Sequence, residues 1–122
     1  MEENLITGTN LGTLGEDEAC RFLRKKGFKI LDRNYRAGSC EIDIVARDGK
    51  LILFVEVKTR SSRDFASPWE NVGYRKRKNL KSAAKIYIQD HSSSGFTYRF
   101  DVISIVMDDA LKAEIEWIQQ AF

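Results

Sequence analysis

Two apolar runs joined by one tight-turn signal constrain this chain more than any other feature in it. Residues 40–60 read CEIDIVARDGKLILFVEVKTR. Asp48-Gly49 between alternating hydrophobics is a strong hairpin signal, so the runs are expected to pair as antiparallel strands. Glu41 and Asp43 lie two residues apart in the first run, and Glu56 and Lys58 two apart in the second. Successive strand side chains point to opposite faces, so each pair shares a face. With Asp48 and Gly49 at the centre of the turn, Asp43 pairs with Phe54 and Glu41 with Glu56, and Asp43 lies diagonal to Glu56. Glu41, Asp43, Glu56 and Lys58 then converge on one patch. An odd-length loop would scatter them, because a slip of one residue turns every side chain over.

Three carboxylates on one sheet face repel one another and are costly to desolvate. A hard divalent cation removes the repulsion, and Mg²⁺ is typically held by one or two carboxylates plus waters and substrate phosphates. A lysine beside it could orient a water or stabilise charge developing on a phosphate. The same four charges could equally be the solvent face of a half-buried hairpin, with Lys58 paired to Glu56 or Glu41. The second run favours the site: Leu51–Val57 is apolar on both faces apart from Glu56, as in a central strand, and a charge intruding there is usually paired or holds a metal.

The chain has 122 residues, 43% hydrophobic and 31% charged, which suits a single globular domain over 1–122. No apolar run approaches the roughly 20 residues that cross a bilayer. The first ten residues lack an apolar signal core and are expected to be a flexible lead-in. Cys20 and Cys40 are too few for a disulfide framework and lack metal-ligand spacing, which points to a cytoplasmic protein with reduced thiols. The net charge of +2 decides little; its distribution matters more.

Thr13-Leu14-Gly15-Glu16 reads as a capping box opening a helix that ends at Gly27, with Glu16 and Glu18 near its first turn. Phe28–Leu31 is a short strand and Asn34–Ser39 a loop. Ser67-Pro68-Trp69-Glu70 signals another helix start. From Tyr74 to Asp90 the pattern is helical, with Leu80, Ala83, Ala84 and Tyr87 as its apolar stripe. Arg75, Lys76, Arg77, Lys78, Lys81 and Lys85 make this helix basic. That is either a solvated face or a phosphate-backbone contact, with Arg60 adding to it. His91 reads as a surface loop residue. Phe96–Met107 is a strand, and Ala113–Ile118 is ambiguous between strand and helix. Strands and helices in this order suggest an α/β sandwich around a mixed central sheet.

These words together resemble a known family. Glu16 on a first helix, then Asp43, then Glu56-Val57-Lys58, resembles the PD-(D/E)xK nuclease core. Gly12-x-x-Gly15-Glu16-x-x-Ala19, Asn34-x-Arg36, Glu41-Ile42-Asp43, Phe54–Arg60, Lys76, Arg99-Phe100-Asp101-Val102 and Ala121-Phe122 more closely resemble the YraN-like family of small bacterial proteins. The resemblance implies a restriction-endonuclease-like fold related to archaeal Holliday-junction resolvases. It implies that Asp43 and Glu56 ligate Mg²⁺ or Mn²⁺ with the carbonyl of Val57, that Lys58 positions the attacking water or stabilises the pentavalent phosphate, and that Glu16 reaches the metal directly or through water. The family usually has Gly where Cys40 and Ala66 stand here, and neither difference removes a ligand.

Three functions stay in view. The first is a metal-dependent nuclease hydrolysing DNA phosphodiesters, branched or damaged DNA included, for which a symmetric homodimer would suit junction cleavage. The second is a nucleic-acid-binding module without catalysis. The third is an interaction protein dimerising through an apolar patch at Trp69, Trp117 and Phe122.

Overall fold

The computed structural model describes residues 8–62, 73–91 and 94–122. In chain order they form α1 (Gly8–Lys25), β1 (Lys29–Ala37), β2 (Cys40–Asp48), β3 (Leu51–Ser61), α2 (Tyr74–His91), β4 (Thr97–Met107) and β5 (Ala113–Ile118). The strands lie side by side in sequence order. Only β3 and β4 run parallel; the other neighbours are antiparallel. Parallel neighbours need a long crossover, and α2 lies within it.

The sheet is covered on both faces. Ala19 and Leu23 of α1 pack with Ile44, Leu53, Val55 and Ile103 on one side. Leu80, Ala83, Ala84 and Tyr87 of α2 pack with Val45, Ile52 and Phe54 on the other. This explains why Leu51–Val57 is a continuous apolar run: β3 is buried from both directions. Each large side chain so removed from water contributes about 1.5–3 kcal/mol. The fold is the expected mixed α/β sheet flanked by helices.

Several local expectations change. α1 begins at Gly8, so Thr13 is not its cap, Glu16 and Glu18 stand in its interior, and residues 8–10 belong to the helix. At Gly15 a Cβ would lie 1.8 Å from Thr59 Oγ1. Glycine here lets the helix press onto β3, and that packing overrides its poor propensity. β1 runs on to Ala37, absorbing most of the expected loop, because Asn34 takes a left-handed conformation (φ 53°) inside the strand; asparagine tolerates that region better than most residues.

The hairpin turn falls one residue later than expected, on Gly49 and Lys50: Asp48 pairs with Leu51, which shifts the register by two. Gly49 takes φ 60° at the first turn position, as a Gly-X turn requires. A shift of two keeps every side chain on its face. His91 closes α2, its ring stacked on Tyr87 with centroids 4.1 Å apart. Ala113–Ile118 is a strand. The helix start at Ser67-Pro68, Ala66 and Trp69 lie outside the described residues.

The far end of the sheet is tied by a fully buried aspartate. Arg99 donates to both Asp101 oxygens at 2.8 and 2.9 Å. Trp117 Nε1 and the Gln120 N–H donate to them at 2.8 and 2.9 Å. Trp117 packs edge-on against Phe22 and Phe28, and Phe122 stacks on Phe100. These two expected interface aromatics are thus engaged within the chain.

Candidate active site

The site forms where β2 parts from β3. Their ladder runs from Asp48↔Leu51 to Ile44↔Val55 and goes no further. The next step would set Asp43 opposite Glu56. The alternation of β2 breaks there: Ile42 packs with Val45 on the α2 side, although the two lie an odd three positions apart, while Ile44 and Ala46 pack on the α1 side. Asn34, with its positive φ, sits opposite Asp43 in the β1–β2 register, between Arg33↔Ile44 and Tyr35↔Ile42. A side chain takes over where the backbone pairing stops: the Val57 N–H donates to Asp43 Oδ2 at 2.8 Å.

Glu56 is 2% exposed. Its Oε2 accepts from Lys76 Nζ at 3.1 Å. Its Oε1 is buried without a hydrogen-bond partner among the described residues. A buried, half-satisfied carboxylate is costly and calls for a cation or a donor. Burial, then the neighbouring Glu56 charge, pushes the Asp43 carboxyl up to about 8; the Val57 N–H opposes this, Glu16 adds to it, and Lys76 opposes it. For Lys76, burial works against its charge, but Glu56, with Asp43 and Glu41 behind it, raises the ammonium above its ordinary value.

The remaining expected site residues divide. Glu16, half-buried on α1, accepts from Asn34 Nδ2 at 3.2 Å and Arg33 NH2 at 3.5 Å. Arg33 NH1 also pairs with Asp17 at 2.9 Å. Glu41 is half-buried and pairs with Arg36 in the β1–β2 ladder. Lys58 and Arg60 follow Glu56 at two-residue spacing and share its face. Arg60 Nε and NH1 are buried without a partner among the described residues. The structure shows Val57 meeting the site through its N–H. Arg75, Lys78, Lys81 and Lys85 are exposed on α2.

Lys76 differs from the other helix cations, because it reaches into the carboxylate pair. Its place one turn before Leu80, and so on the buried stripe, was the signal that sets it apart. Asn34, which with Arg33 positions Glu16, was legible only as part of the Asn34-x-Arg36 word, and Arg33 was not singled out.

Against known proteins, the model of "Uncharacterised protein family UPF0102" matches residues 15–105. The chain belongs to the UPF0102 family. A UPF0102 protein of Chloroherpeton thalassium is 41% identical over 95% of both chains. One from Dictyoglomus turgidum is 41% identical over 96% of this chain and all of its own. One from Syntrophomonas wolfei is 46% identical over 92% and 96%. The YraN-like likeness holds at this level. The family match spans Glu16, Asp43, Glu56, Lys58 and Lys76.

Among the described residues no helix is long and apolar enough to cross a membrane. Nor does any group of three or more His, Cys, Asp or Glu stand at metal-binding spacing among them. The acidic set is therefore the Asp43–Glu56 pair, with Glu16 and Glu41 further off.

Proposed function

We propose that this UPF0102 protein is a cytoplasmic, divalent-metal-dependent nuclease of restriction-endonuclease-like fold, related to archaeal Holliday-junction resolvases and acting on DNA. The observation that carries this reading is the closeness of Asp43 to Glu56 where β2 leaves β3. Two acidic groups interact where the strands part, and one buried oxygen is left unpartnered among the described residues.

The residues fit a hard cation. Glu56 Oε1 lacks a partner among the described residues, burial and the Glu56 charge hold the Asp43 carboxyl protonated, and the cation set against Glu56 is the ammonium of Lys76. Two carboxylates suit Mg²⁺ or Mn²⁺, which keep waters and phosphate oxygens for their other positions. Asp43 and Glu56 would hold the ion, with the Val57 carbonyl and Glu41 beside them and Glu16 acting through water. The ion supplies Lewis-acid activation of water and neutralisation of phosphate charge.

The chain's own groups do the rest. Val57 fixes the Asp43 carboxylate by its N–H. Lys58, on the same face as Glu56, orients the attacking water and stabilises charge on the phosphoryl oxygens. Arg60 offers guanidinium nitrogens that lack partners within the described residues, suited to a backbone phosphate. The exposed cations of α2 supply affinity without sequence readout.

The test is cleavage of single-stranded, duplex, flap and four-way-junction DNA with Mg²⁺, Mn²⁺ or EDTA. Wild type alone should cleave, and only with metal; Asp43→Ala and Lys58→Ala should not. Cleavage by Asp43→Ala at the wild-type rate would end this mechanism. Salt-sensitive binding with no cleavage under any metal would leave the module reading, which the exposed basic face of α2 favours. Solution mass under the same conditions tells monomer from homodimer.

A further inference from the structure

Tyr74, Lys78, Lys81 and Lys85 recur at i, i+4, i+7 and i+11 on α2, which sets them in one stripe. With Arg77 and the Phe122 ring they line a groove of about 700 Å³. Of the described residues lining it none is acidic. Tyr74 is 73% exposed, with Lys78 Nζ 5.9 Å from its ring centroid. The stripe spans about 16 Å at 1.5 Å per residue. It begins two residues from Lys76, which enters the carboxylate site.

Cations alone would serve a duplex backbone, whose bases are turned away. Cations alternating with an exposed aromatic ring and an apolar wall suit a ligand with phosphates and free base faces. An acidic protein segment would satisfy the lysines but gives Tyr74 no flat partner. We infer that this groove is the track for one unpaired nucleic-acid strand, with phosphates on Arg77, Lys78, Lys81 and Lys85 and a base stacked on Tyr74. This deepens the nuclease reading and rests on it, since it names the strand that the site receives: a single-stranded end or flap.

The experiment is fluorescence anisotropy of the full chain in EDTA. The probes are labelled oligothymidylate, a duplex of equal length, and polyglutamate as competitor. Oligothymidylate should bind at least about tenfold more tightly than duplex. Tyr74→Ala should lose about tenfold for the single strand and nothing for duplex, while Tyr74→Trp retains binding. Lys81→Gln should lower the slope of log affinity against log salt by about 0.7. Tyr74 and Lys81 are exposed, and circular dichroism checks that the variants fold.

Equal affinity for duplex, no effect of Tyr74→Ala, or polyglutamate binding as tightly as the oligonucleotide would overturn the track. Metal-dependent flap cleavage run in parallel separates the two proposals. Cleavage that is unaltered in Tyr74→Ala sinks the track alone. Tyr74-dependent single-strand binding without cleavage by wild type supports the track and sinks the nuclease.

Discussion

The Val57 N–H of β3 donates to the Asp43 carboxylate of β2 at 2.8 Å, just past the last backbone pair between those strands. Asp43 is thus both a strand partner and an acid. The two roles separate by substitution. Asp43→Asn keeps an oxygen for Val57 and removes the ionisable group, whereas Asp43→Ala leaves a part-buried N–H unmet. Urea unfolding at neutral pH should find the alanine variant less stable than the asparagine variant by about 1–3 kcal/mol. Both should lose metal-dependent cleavage.

The Asp43 shift fixes a direction for pH. Its carboxyl is raised from 3.8 to about 8, first by burial and then by Glu56. Between those values the folded state holds a proton that the unfolded chain has released, so unfolding releases protons. The contribution is full below pH 4 and is lost as pH rises through about 8. Thermal melts in EDTA should show this decline between about pH 5 and 8.5, and Asp43→Asn should lack it. Mg²⁺ should flatten it by supplying the positive charge.

Lys76 is half exposed, yet its partner Glu56 is 3% exposed at the side chain. An exposed ion pair contributes little, so most of the effect of losing Lys76 comes from the buried carboxylate it abandons. Lys76→Ala should destabilise the protein in EDTA by about 1–3 kcal/mol. Lys81→Ala on the same helix should stay within about 0.5 kcal/mol. Chemical denaturation of both variants, repeated with Mg²⁺, should show rescue of Lys76→Ala only.

Gly15→Ala places a methyl group into Thr59, with Oγ1 at 1.8 Å, Cγ2 at 2.6 Å and Cβ at 2.7 Å. Overpacking of this kind costs about 1–3 kcal/mol. Thr59→Ala removes the two nearer atoms but keeps the third, so the double variant should recover part of the loss. A denaturation cycle over the four proteins measures it. Cleavage should fall too, because Glu16 follows Gly15.

Asp101 carries four donors without solvent. Asp101→Ala strands the Arg99 guanidinium and should cost about 3–5 kcal/mol. The release of Trp117 makes its fluorescence a direct monitor of the loss.

Much of this arrangement was legible in the sequence because period-2 alternation survives errors in turn placement. The turn was displaced by one residue and the register by two, yet Glu56 and Lys58 kept their face, and Asp43 reaches β3 through the Val57 N–H just past the last ladder pair. α2 and β4 were legible because their apolar spacing agrees with their burial. The start of α1 was not, since Gly8, Gly12 and Gly15 argue against a helix that tertiary packing nonetheless favours. The continuation of β1 was hidden by one left-handed asparagine. The break at Asp43 left no mark, because Ile42 and Ile44 look alike whichever face each one takes.

The order of strands along the sheet also divides the site along the chain. Glu16, Glu41, Asp43 and Glu56 all lie within the stretch that ends at Ser61, on α1 and the neighbouring strands β2 and β3. Lys76, the cation that meets Glu56, arrives only with the crossover helix. The carboxylates are therefore all contributed before the crossover, and the cation that meets Glu56 comes from within it. Docking of α2 against the sheet is an electrostatic event as well as an apolar one: it quiets the acids that the preceding strands have crowded together.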